Sequence, residues 1–191
     1  MKVHVSAIVK SAYFHIRKLY SVRKYVSEKS MKCLVQCFVI SRLDYCNSLL
    51  YGIPEESLDK LQKVQNAAAR LIYGVRKHDH VTHLLRNLHW LPIRYRIQYK
   101  IALITFKTQN GNGPEYLAEL SLPLQQNRAI RSSHKNMLKV PKTKLKYGGD
   151  RSFSVAAPRI WNSLPNNIKS HSEHLFKKAL KTHLFKTAYE C

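Results

Sequence analysis

Eleven Asp and Glu side chains are all the carboxylates this 191-residue chain offers on its side chains for metal or acid–base chemistry. Its aspartates, Asp44, Asp59, Asp79 and Asp150, lie far apart in sequence. Nucleotidyl transfer by two divalent cations needs paired carboxylates that hold the ions a few ångströms apart, and no Asp-Asp pair occurs. His78, His80 and His83, with His89 beyond, make the most metal-like group, but zinc asks for four N or S ligands in fixed geometry. No Cys-x-x-Cys pair completes such a set. Cys33 and Cys37 stand four apart on an otherwise apolar helical face and are expected to pack as small hydrophobes. Cys46 follows Asp44-Tyr45, and a neighbouring acid raises a thiol's pKa rather than activating it. The Gly148-Gly149 pair reads as a turn, because no Gly-x-x-x-x-Gly-Lys phosphate loop is present. No residue is therefore assigned to catalysis, a metal or a cofactor.

Cations are the chemistry the sequence has in excess. Lys and Arg number 33 against 11 Asp and Glu, a net charge of +22, and a surplus of that size repels itself until a polyanion neutralises it. Nucleic acid is the expected polyanion, an anionic membrane surface the second. Residues 128–191 carry fourteen basic and three acidic side chains, the steepest imbalance in the chain. Within them Arg128, Arg131, Lys135, Lys139, Lys142, Lys144, Lys146 and Arg151 alternate with Ser132, Ser133 and His134. Groups so spaced track a phosphate backbone, hydroxyls fix its position, and Tyr147 offers a stacking platform. The same string also fits a solvated basic loop. Trp90 and Trp161 each sit in an apolar setting and are expected to anchor a core rather than stack on bases. No small-molecule substrate is evident.

These groups need elements to position them. Val5, Ile8, Val9, Ala12, Ile16, Leu19 and Tyr20 recur at helical spacing. Ser27 is placed to cap a second helix with Glu28 at its positive end. That helix is expected to bury Met31, Leu34, Val35, Phe38, Val39 and Leu43. Pro54-Glu55-Glu56 opens a third, with Leu58, Leu61, Val64, Ala68, Leu71 and Ile72 as its stripe and Gly74 closing it. A short turn is expected over 81–88, a helix from Pro92 to Gln109, and a brief one over 115–120 after the break at 110–114. Beyond Leu122 prolines and glycines punctuate the chain, and 137–140 and 153–155 read as short strands. A last amphipathic helix follows a Ser172 cap. The expected fold is mostly α: a helical bundle over 1–121, then a basic, irregular segment over 122–191 with a terminal helix. No apolar run reaches the ~18–20 residues of a membrane span. No leader peptide is apparent, and the four cysteines make no disulfide framework, so an intracellular setting is expected.

Several blocks in order carry a resemblance. They are Ser41-Arg42-Leu43-Asp44-Tyr45-Cys46-Asn47-Ser48-Leu49-Leu50; Gln62 to Leu71; Asp79-His80-Val81-Thr82; Leu88-His89-Trp90-Leu91-Pro92-Ile93 with Arg96-Ile97; Val140 to Lys146; and Gly149-Asp150-Arg151-Ser152-Phe153-Ser154-Val155-Ala156-Ala157-Pro158-Arg159-Ile160-Trp161-Asn162-Ser163-Leu164-Pro165. Together they resemble the region after the polymerase palm in LINE-type, jockey-like non-LTR retrotransposon reverse transcriptases, from about Ile8 to Phe185. The resemblance implies the thumb-like helical region and C-terminal segment of a reverse transcriptase, working on the element's RNA and its target DNA, with the palm encoded upstream of Met1. The expected role is to grip RNA template or an RNA–DNA duplex. The resemblance brings no catalytic position of that family into this chain. Two other readings stay open: a truncated or decayed reading frame derived from such an element, and a binding or scaffold module adopted by a host.

Overall fold

The first helix, α1 (Lys2–Val22), buries Val5, Ala12, Ile16 and Leu19 of the face its periodicity marks, whereas Tyr20, expected on that face, is 73% exposed. The computed structural model describes residues 1–124, 136–143, 148–170 and 172–190. These are mostly helical, and the β structure among them is an isolated antiparallel bridge between Pro123 and Leu138. Two compact units divide the chain: Met1–Arg96 with Ala188–Cys191, and Ile97–Thr187. The boundary after residue 121 marks a change of composition and charge, a different property from the packing that delimits these units.

In the first unit, α2 (Glu28–Val35) starts at Ser27, whose side chain accepts a hydrogen bond from the Ser30 N–H. The helix then passes through a π turn at Gln36–Ile40 into α3 (Ser41–Asp44). A π turn adds a residue to the helical cycle and rotates everything after it. Val35 before it and Val39, Ile40 and Leu43 from it onward are buried, while Phe38 is 44% exposed. The expectation that Phe38 would be buried is corrected by that rotation; its ring instead stacks on His15 at 5.6 Å. Cys33 on α2 and Cys37 in the π turn are exposed and do not pack as core hydrophobes, because they fall on the side opposite Met31 and Val35.

The longest partner of these helices is α4 (Glu55–Tyr73), which buries Leu61, Val64, Ala68, Leu71 and Ile72 as its stripe requires. Gly74 ends it at φ +67, a left-handed conformation that glycine adopts without strain. Arg23 reaches the same helix end. Its Nε donates to the Leu71 carbonyl at 2.9 Å and its Nη2 to the Ile72 carbonyl at 2.9 Å. Those are last-turn acceptors with no partner inside the helix. The short α5 (Thr82–Asn87) buries Leu84 and Leu85.

The second unit holds most of α6 (Ile93–Gln109), then α7 (Glu115–Leu120), α8 (Phe153–Ser163), α9 (Asn166–Lys169) and most of α10 (Glu173–Tyr189). Its core is an aromatic cluster. Phe106 and Phe176 stack at 4.0 Å, and Trp161 lies 6.1 Å from Phe176 and 6.4 Å from Phe106. Residues 153–155 are helix rather than strand. Val155, Ala156, Ala157, Ile160 and Trp161 are buried together, a helical spacing that continues across Pro158. Residues 137–140 make no strand either; only Leu138 forms the bridge.

Candidate nucleic-acid interface

Of the nine residues singled out for phosphate or base contact, Lys139, Lys142 and Arg151 lie among the described residues. Arg128, Arg131, Lys135, Lys144, Lys146 and Tyr147 lie outside them. One side chain fixes the backbone beside Lys139. Asn162, on α8, accepts from the Leu138 N–H through Oδ1 at 2.9 Å and donates through Nδ2 to the Leu138 carbonyl at 2.9 Å. An amide that bonds both backbone groups of one residue imitates the neighbouring strand of a sheet. On the other edge, the Lys139 N–H donates to the Leu122 carbonyl and the Leu124 N–H to the Met137 carbonyl, each at 2.9 Å.

Leu138 is thereby pressed into the core at 3% exposure, and in extended backbone its neighbour must face the other way. Lys139 does, and Lys142 is exposed as well. Trp161 secures the start of the same run, donating from Nε1 to the Asn136 carbonyl at 2.8 Å. Both tryptophans are core anchors, Trp90 at 6% and Trp161 at 3% exposure. Further along, the Asp150 carboxylate accepts from the Thr143 hydroxyl at 2.8 Å and pairs with Arg159 at 2.9 Å. Arg151 is half-buried. Lys169 points the other way chemically: it is buried, its ammonium 5.5 Å from the Trp161 ring, and burial lowers its pKa.

Most of the aspartates are committed to structure. Asp44 forms a forked ion pair with Arg96, its Oδ1 2.8 Å from Nε. Asp79 accepts from the Arg76 N–H at 2.7 Å, and Asp150 is held as described. Asp59 is exposed. Among the described residues no group of three His, Cys, Asp or Glu side chains is placed to hold a metal ion, and no helix is long and apolar enough to cross a membrane. No family model, curated protein or solved structure matches the chain.

Several polar residues of the sequence blocks are spent on internal contacts. Gln65 is fully buried and donates to the Leu91 carbonyl at 2.9 Å, while Gln62 accepts from the Ile93 N–H at 2.9 Å. Gln62 also donates to Gln65 and Asn66. Block joins block through these bonds: 62–71 to 88–93, and Asp44 to Arg96.

A segment-by-segment charge count misses a second group of cations in the first unit. Arg23, Lys24, Arg70, Arg76 and Lys77 come together at a cleft beside the ends of α1 and α4. The sequence separation of 53 residues between Lys24 and Lys77 hides this grouping, although the Gly74 helix stop and the basic pair after it are its local signal.

Proposed function

We propose that this chain is a non-catalytic nucleic-acid-binding module of a retrotransposon-type reverse transcriptase, gripping RNA template or an RNA–DNA duplex for a polymerase palm. The observation that carries this reading is the net charge of +22, joined to the exposure of Lys139 and Lys142 on a run pinned by Asn162. Pinning matters because a cation on an ordered backbone loses less entropy when it meets a phosphate. The ordered block resemblance supports the reverse-transcriptase part of the reading. The engagement of Asp44, Asp79 and Asp150 in ion pairs and hydrogen bonds supports a module that grips while metal ions and their carboxylates act on the palm.

The experiment replaces Arg128, Arg131, Lys142, Lys144 and Lys146 together with glutamine and measures affinity for a labelled RNA–DNA hybrid across a salt series. Each lost phosphate contact should flatten the slope of log affinity against log salt by about 0.7 to 0.9. Wild-type slopes in the variant would remove the segment from the interface. Magnesium-dependent nucleotide incorporation by the purified 191-residue chain alone would contradict the non-catalytic role.

A further inference from the structure

The cleft at the ends of α1 and α4 measures about 840 Å³, within the range of pockets that enclose small organic ligands. Its floor is apolar, formed by Ile16, Leu71 and Val75. Five cations stand around it: Arg23 and Lys24 from the turn after α1, Arg70 from the last turn of α4, and Arg76 and Lys77 from the segment after Gly74. Among the described residues, none that lines it carries a carboxylate. The nearby Asp79 carboxylate accepts the Arg76 N–H, and the Asp79 carbonyl accepts from Arg70 at 2.9 and 3.2 Å.

Two helix C-termini end beside this cleft, and their partial negative charge explains only part of the cationic set. Arg23 answers the α4 carbonyls by itself, through the bonds to Leu71 and Ile72. Lys24 lies over the Tyr25 ring at 4.8 Å, and Arg76 and Lys77 are exposed. At the edge stands Tyr20, 73% exposed on the last turns of α1. An exposed aromatic ring, an apolar floor and a cationic rim are the three parts that a nucleotide's base and phosphate need. An acidic polypeptide would use the rim and leave the ring and floor without a purpose.

We infer that this cleft binds single-stranded nucleic acid, a base entering over Ile16 and Leu71 against Tyr20 while flanking phosphates meet Arg70, Arg76 and Lys77. The inference rests on the reading of the chain as a nucleic-acid binder and adds a site in the first unit, separate from Lys139 and Lys142 in the second. A single strand is favoured over a duplex because only unpaired bases can leave their stack for a pocket.

The test uses the full chain and a fluorescein-labelled, unstructured RNA of about 12 nucleotides, within the span such grooves cover. Arg76→Glu with Lys77→Glu should weaken binding at least tenfold and flatten the salt slope by about 1.4, two single-strand phosphates' worth. Tyr20→Ala should weaken it about fivefold or more with the slope unchanged, since a stacked ring carries no charge. All three side chains are exposed, and circular dichroism checks that each variant keeps its helices. Wild-type affinity in both groove variants, with weakened binding in a Lys139→Gln, Lys142→Gln variant, would overturn the groove and leave the broader reading standing. RNA binding absent from the wild type would overturn both. Displacement of the RNA by polyglutamate at equal charge concentration, unaffected by Tyr20→Ala, would reassign the cleft to acidic polypeptides.

Discussion

Gln65 shows what a polar residue costs and contributes when it is fully buried. Its amide satisfies the Leu91 carbonyl and shares Gln62, which in turn receives the Ile93 N–H. Gln65→Leu would keep the volume and leave the Leu91 carbonyl without this donor. A loss of about 1–3 kcal/mol is expected, the range for an unsatisfied buried polar group, and urea unfolding followed by circular dichroism measures it. A variant as stable as the wild type would show that the bond is dispensable. Tyr189 tests a titrating residue in the same unit. Its hydroxyl donates to the Trp90 carbonyl at 2.6 Å, and burial pushes its pKa up to about 12, with Arg86 and Arg96 partly opposing the rise. Because the folded value stands above the unfolded one of about 10, the contribution is full below that pH and is lost as pH climbs toward the folded value. The melting-temperature advantage of wild type over Tyr189→Phe should therefore shrink between about pH 10 and 12. An advantage that stays constant across that window would contradict the assignment.

Elements were legible to different degrees. The stripes of α1 and α4, the Ser27 cap and the Gly74 stop could all be read, because period, cap chemistry and left-handed backbone are local properties. The π turn could not. Nothing in Gln36–Ile40 announces an extra residue per cycle, so an ideal period assigns Phe38 to the core in place of Ile40. Helix α8 was obscured by Pro158, which lacks a donor and usually ends a helix; Ala156, Ala157, Ile160 and Trp161 share a buried face across it. The basic segment announced its charge and hid its anchoring, since Asn162 and Leu138 meet across 24 residues. Asn162→Ala should free this run. Limited trypsin digestion is expected to cut faster after Lys139 and Lys142 while the helical signal is retained; unchanged cleavage would show that the bridge to Pro123 holds the run without Asn162.

At the scale of the whole molecule, charge is the dominant fact. Ion pairs such as Arg96–Asp44, Arg94–Glu55 and Lys107–Glu173 draw on a pool of only eleven acids, which leaves the surplus of cations facing one another. Salt screens such repulsion over a Debye length of about 10 Å at 0.1 M. Raising ionic strength from about 0.01 to 0.15 M should thus stabilise the free protein, and each 1 kcal/mol gained would lift its melting temperature by roughly 2–4 °C. A melting temperature that falls with salt would mean that the ion pairs outweigh the repulsion. The same surplus makes binding respond in the opposite direction, because salt competes with phosphate for the cations.

That opposition makes one titration decisive: affinity of the wild-type chain for a labelled RNA–DNA hybrid, followed by anisotropy from about 50 to 200 mM salt. If six to ten phosphates are neutralised, affinity should drop by about 10³ to 10⁵ over that range. Affinity that is absent, or that holds constant across the series, would contradict a role in gripping nucleic acid.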